Sequence, residues 1–124
     1  MIQPIDHLPT NVFGYAVQGL LHASDYDILR PALAEYALQK RGKLHLLVDV
    51  SAATGLGTKS FWEEAKLQWN YAGEIGRVAV VGPPEWTKPF IKIAGMIRIG
   101  GEIETFSKEQ TELAQAWLAG LVAV

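Results

Sequence analysis

The chain has 124 residues, 49% of them apolar and 19% charged, a globular composition at a length that can bury a core without covalent staples. Its net charge is −2 with both signs interspersed, so no basic stripe exists to track a phosphate backbone, and nucleic acid is not an expected partner. Cysteine is absent, which excludes disulfides, thiolate catalysis and cysteine-ligated zinc. No unbroken apolar run reaches the roughly 18 residues of a transmembrane helix, and residues 1–6 lack the basic start and apolar core of a signal peptide. These features predict one cytoplasmic domain over 1–124.

Residues 1–7 read as a short extended segment, Leu8-Pro9-Thr10-Asn11 as a turn, and 12–21 as a strand, together a hairpin. Ser24 and Asp27 open a first helix in a near capping box, and Leu29, Leu33, Tyr36 and Ala37 form its inward stripe. Pro31 removes a donor within that helix, and Arg41-Gly42 closes it. Residues 44–50 (Leu-His-Leu-Leu-Val-Asp-Val) scarcely alternate, the pattern of a strand covered on both faces. A small Gly-containing loop is expected over 51–58.

A second helix starts at the capping box Ser60-Phe61-Trp62-Glu63, with Phe61, Ala65, Trp69 and Ala72 inward. Residues 77–81 are another short apolar strand, closed by Gly82-Pro83-Pro84. The third helix is expected to begin near Thr87 with Pro89 in its first turn. Residues 102–106 form the last strand. A third capping box, Ser107-Lys108-Glu109-Gln110, leads into a final helix with Leu113, Ala114, Trp117, Leu118 and Leu121 on one face. Strands and helices in alternation require right-handed crossovers and a mostly parallel sheet, here of about five strands with an antiparallel N-terminal strand and four helices.

Several runs resemble the SpoIIAA-like family, a branch of the STAS/SEC14-type α/β fold. They are Gly19 with Ser24-Asp25-Tyr26 and Leu29-Arg30-Pro31-Ala32-Leu33, then Leu46-Leu47-Val48-Asp49 and Phe61-Trp62-Glu63-Glu64-Ala65-Lys66-Leu67. Arg77-Val78-Ala79-Val80-Val81, Glu85-Trp86, Thr105-Phe106 and Ala114-Gln115-Ala116-Trp117-Leu118 continue the series in order across nearly the whole chain. The resemblance implies the fold, and function follows from it only loosely. Domains of this fold include anti-sigma-factor antagonists, switched by phosphorylation at the start of the second helix, and lipid-carrying SEC14-type domains.

That resemblance directs attention to the segment from Asp49 to Ser60, at the C-terminal end of a central strand, where open α/β sheets bind ligands. Asp49, Ser51, Thr58 and Ser60 are the candidate phospho-acceptor or partner-contact residues. Thr58 or Ser60 falls at the corresponding helix start, but the antagonists' Asp-Ser-Gly pattern is absent, and an N-cap role explains Ser60 by itself. Gly55-Leu56-Gly57-Thr58-Lys59-Ser60 lacks phosphate-loop spacing.

His7, His22 and His45 follow no metal-ligand spacing, and His45 reads as a hydrogen-bonded sheet residue ahead of a catalytic partner for Asp49 or Ser51. Phe90, Ile91, Ile93, Ala94, Met96 and Ile97 make the third helix apolar over a wide arc, which calls for burial, a partner or a ligand. Trp62, Trp69, Trp86, Phe90 and Ile93 are the candidate ligand-cleft or interface residues. No metal, cofactor or catalytic set is expected. The leading expectation is a non-enzymatic regulatory or interaction module, a homodimer acting with an unidentified regulatory protein. A small apolar-ligand or lipid-binding domain is the alternative, and a hydrolase-like site at the Asp49–Ser60 segment comes third.

Overall fold

A single five-stranded sheet organises the chain in the computed structural model, which describes residues 2–9, 12–21, 25, 31, 44–55, 75–94 and 102–121. Its strands are β1 (Ile2–Ile5), β2 (Val12–Leu20), β3 (Leu44–Gly55), β4 (Ile75–Val81) and β5 (Glu102–Phe106), neighbours in chain order. β1 pairs antiparallel with β2, as the N-terminal hairpin pattern predicts, and the other three pairings are parallel. Two continuous α-helices stand among the described residues, α1 (Pro84–Ala94) and α2 (Thr111–Leu118), the latter preceded by a 3₁₀ turn at Lys108–Gln110. The other two of the four expected helices fall at 24–41 and 60–72, outside the described residues apart from Asp25 and Pro31, which are helical.

The centre of the sheet is closed to water on both faces, which is why β3 and β4 carry apolar residues at successive positions. Leu46, Leu47, Val48 and Val50 of β3, and Val78 to Val81 of β4, are all buried. On one face Leu47, Ala79, Val81, Val12 and Phe106 pack with Ala114, Trp117 and Leu118 of α2, and Ile5 and Leu8 close the rim. α1, the connection from β4 to β5, lies against β3 and β4.

Three expected boundaries are corrected. The loop expected from Ser51 is strand as far as Gly55, because β2 supplies a ladder partner through Gln18↔Ala52, Gly19↔Ala53 and Leu20↔Gly55. Pairing overrides the weak strand preference of Ala-Ala-Thr-Gly. The third predicted helix begins at Pro84 and not near Thr87. Proline is preorganised for a first helical position, and the Trp86 and Thr87 N–H groups both donate to Pro83 O at 3.0 Å. Pro89 therefore lies inside α1. The carbonyl of Glu85, four residues earlier, loses its helical donor, a loss water can make good because both residues are exposed.

The last correction concerns Leu121, which is not on the final helix. α2 ends at Leu118, and Gly120 takes φ +78°, a conformation that side chains with a Cβ rarely adopt. The Gly120 N–H donates to Trp117 O at 3.1 Å and the Leu121 N–H to Ala116 O at 2.9 Å, which is a Schellman closure. Leu121 is left 78% exposed.

Candidate functional site

β3 carries the ionisable residues that the sequence singles out, and it carries them at two separate places. Asp49 and Ser51 lie at its C-terminal half. There the register with β2 slips, three steps along β3 (Asp49 to Ala52) matching two along β2 (Ala16 to Gln18). A bulge of this kind turns a backbone group off the ladder. The Ser51 N–H is recovered by its own neighbour, donating to Asp49 Oδ1 at 2.9 Å. The other carboxylate oxygen, Asp49 Oδ2, accepts from Lys108 Nζ at 2.5 Å, an ion pair that pins the 3₁₀ turn at the head of α2 to β3.

Burial pushes the Asp49 carboxyl up, but Lys108 and Ser51 outweigh it, and the group lies below its ordinary value of 3.8. Asp49 is thus a paired, charged structural anion. The Ser51 hydroxyl oxygen is itself buried and makes no hydrogen bond of ordinary geometry among the described residues, though it lies near enough to help hold the Asp49 carboxylate charged. Gly82 makes this packing possible where β4 ends. Its φ is +151°, and a Cβ there would come within 2.9 Å of Val50 Cγ2 and 3.3 Å of the Ser51 nitrogen.

The second place is the start of the strands. Here two steps along β3 (Leu44 to Leu46) match three along β4 (Ile75 to Val78), a bulge on β4 at Gly76 and Arg77. The Arg77 N–H donates to His45 Nδ1 at 3.0 Å, so the imidazole stands in for a ladder carbonyl. The Arg77 guanidinium donates from Nη1 to Trp117 O at 2.6 Å and lies 5.0 Å from the centre of the Trp117 ring. A cation at a helix C-terminus complements the helix dipole, and its stacking on indole adds a cation–π term. Burial, and after it the Arg77 charge, hold His45 below its ordinary value of 6.5.

This arrangement answers the catalytic reading of His45. Six residues of strand at about 3.3 Å each put His45 roughly 20 Å from Ser51, and the His45 Nδ1 already serves Arg77. Its role is the sheet-bonded one. His7, exposed with φ 60° in the β1–β2 connection, is remote in sequence from both places, and His22 lies outside the described residues.

Of the remaining candidates, Thr58, Ser60, Trp62 and Trp69 also lie outside the described residues. Trp86 is half-buried in the first turn of α1 beside buried Thr87. Phe90 and Ile93 fall on α1, with their side chains outside the description. Sequence reasoning missed Arg77 and Lys108. Their partners are 40 and 59 residues away, and no local pattern announces such pairs. The one signal was a full charge opening an otherwise apolar strand, at Arg77.

Among the described residues no cluster of three or more His, Asp or Glu suited to a metal ion occurs, and no helix is long and apolar enough to cross a membrane.

A five-stranded mixed sheet with one antiparallel pair, whose C-terminal helix returns across one face, defines an α/β domain of SpoIIAA-like fold. The sequence pattern of the SpoIIAA-like family matches residues 12–119, and the chain belongs to that family. The chain is similar to the crystal structure of an uncharacterised protein of the DUF3478 family from Shewanella loihica PV-4, which has a SpoIIAA-like fold. The two superpose with a TM-score of 0.71 at 24% identity, over 94% of this chain and 93% of that one. No curated protein matches the sequence.

Proposed function

We propose that this SpoIIAA-like domain is a non-enzymatic interaction module, cytoplasmic and homodimeric, whose contact surface is the C-terminal end of the sheet and the adjoining C-terminal residues. The observation that carries this reading is the projecting end of β3. Beyond Asp49, the last β3 residue in register with β4, the strand continues to Gly55 paired, among the described residues, with β2 alone. Leu20, 47% exposed, and exposed Ala52 and Thr54 ride on this ribbon, with Lys108 and Glu109 exposed beside its base. A raised edge of mixed apolar and polar groups on a rigid ion-paired base suits a protein partner better than a reacting substrate. Asp49, the group best placed for acid–base chemistry, is already held by Lys108 and Ser51.

Leu113 and Leu121, 36% and 78% exposed, supply the apolar surface that a second copy would cover. Thr58 and Ser60 follow β3 in sequence, and a phosphate on either would add negative charge to the chain there. The alternative, an apolar-ligand or lipid carrier, rests on half-buried Trp86 and Ile91 of α1.

Native mass spectrometry of the freshly purified protein separates the readings. A dimer without adduct, converted to monomer by Leu121→Glu, supports the interaction module. A stoichiometric lipid-sized adduct transfers the case to the carrier. A monomer without adduct at micromolar concentration removes the homodimer.

A further inference from the structure

We propose that the bulge on β4 is an acid-released latch, in which neutral His45 holds the Arg77 backbone and protonation of the imidazole frees Arg77 together with the tail of α2. The proposal stands apart from the identity of any partner. It begins with the bulge. Two residues of β4 oppose His45, so the backbone N–H at Arg77 has left the regular ladder and depends on a side-chain acceptor.

That acceptor is Nδ1, whose lone pair exists only while the nitrogen carries no proton. On the imidazolium both nitrogens are donors, and the Arg77 N–H would face another N–H across 3.0 Å. The same residue's guanidinium binds Trp117 O, so a shift of the Arg77 backbone is passed directly to the last turn of α2.

Among the described residues of the strands and helix beside it, the groups around His45 oppose its protonation or are neutral. Arg77 comes from β4 and adds a positive charge. β2 presents Val12 in register with His45, and α2 presents Trp117 beyond Arg77. The acids of β5 are Glu102, in register with Arg77, and Glu104, in register with Ala79. Both belong to β5, which β4 separates from His45. Burial and the Arg77 charge already hold His45 below 6.5, in the sense this geometry requires. A lowered folded value means that stability is complete above 6.5 and is lost as pH falls from there toward the folded value.

Amide exchange followed by NMR on the full chain tests the latch, with the Val80 N–H in the fully buried centre of β4 as internal reference. Below pH 6.5 the protection of Arg77 relative to Val80 falls, by up to about tenfold per pH unit, until His45 is protonated in the fold as well. A ratio constant from pH 8 to pH 5 overturns the proposal. In His45→Asn, whose Oδ1 accepts at any pH, the ratio becomes independent of pH. If that variant does not fold, the imidazole nitrogen shifts of the unaltered protein decide. At pH 8 the latch requires a bare Nδ1 with the proton on Nε2, and the opposite tautomer overturns it.

Discussion

The two ends of α2 are fastened by the same device with opposite chemistry. At the head, a bulge on β3 leaves the Ser51 N–H to a carboxylate, and that carboxylate reaches α2 through Lys108. At the tail, a bulge on β4 leaves the Arg77 N–H to an imidazole, and the Arg77 side chain reaches α2 through Trp117 O. The head works while Asp49 is charged and the tail while His45 is neutral. Both fail in acid, but the tail yields from 6.5 downward and the head only below 3.8. A helix secured on two pH scales can release one end while the other holds.

The largest expected effect comes from removing what both fastenings hold down. Trp117 is 3% exposed and packs against Phe106 at a ring distance of 5.8 Å. Trp117→Ala should cost about 3–5 kcal/mol of unfolding free energy in urea titrations, since a buried indole leaves a cavity. Next is Arg77→Met, which keeps the stem and removes the charged donor to Trp117 O. A loss of about 1.5–3 kcal/mol is expected at pH 8, and His45 should titrate nearer its ordinary value because a cause of its depression is gone.

Smallest is Lys108→Met. Lys108 is 61% exposed, so solvent screens the pair and its loss should cost under about 1 kcal/mol. Its signature is the pH window. Asp49 is depressed in the fold, so its contribution is present above 3.8 and lost as pH falls through the folded value. The difference between Lys108→Met and the unaltered protein should therefore close in strong acid. A Lys108→Met effect larger than that of Arg77→Met would reverse the proposed ranking of the two ends.

Much of this scaffold was legible in the sequence because local chemistry wrote it. Residues 102–106 were read to the residue, and the box at Ser107–Gln110 holds where the Ser107 N–H donates to Gln110 Oε1 at 3.1 Å. Of the expected stripe, Ala114, Trp117 and Leu118 are the buried face of α2, whereas Leu113 is exposed and Leu121 lies beyond the helix. The segment 51–55 was misread because its strand character comes from β2, not from its own side chains. Of the candidate site, Asp49 was legible as a strand-end acid, and His45 as a sheet-bonded histidine. The bulges were not, since a register slip is a property of two strands together. Lys108 and Arg77 gained their roles only when the chain brought α2 back across the sheet.

The most direct measurement is amide exchange at both ends of α2 in the unaltered protein, from pH 8 down to pH 4.5, corrected for intrinsic exchange. The account predicts that the tail amides of Gly120 and Leu121 lose protection below 6.5 while the head amide of Gln110 keeps its own. Loosening of both ends together, or of the head first, would contradict it.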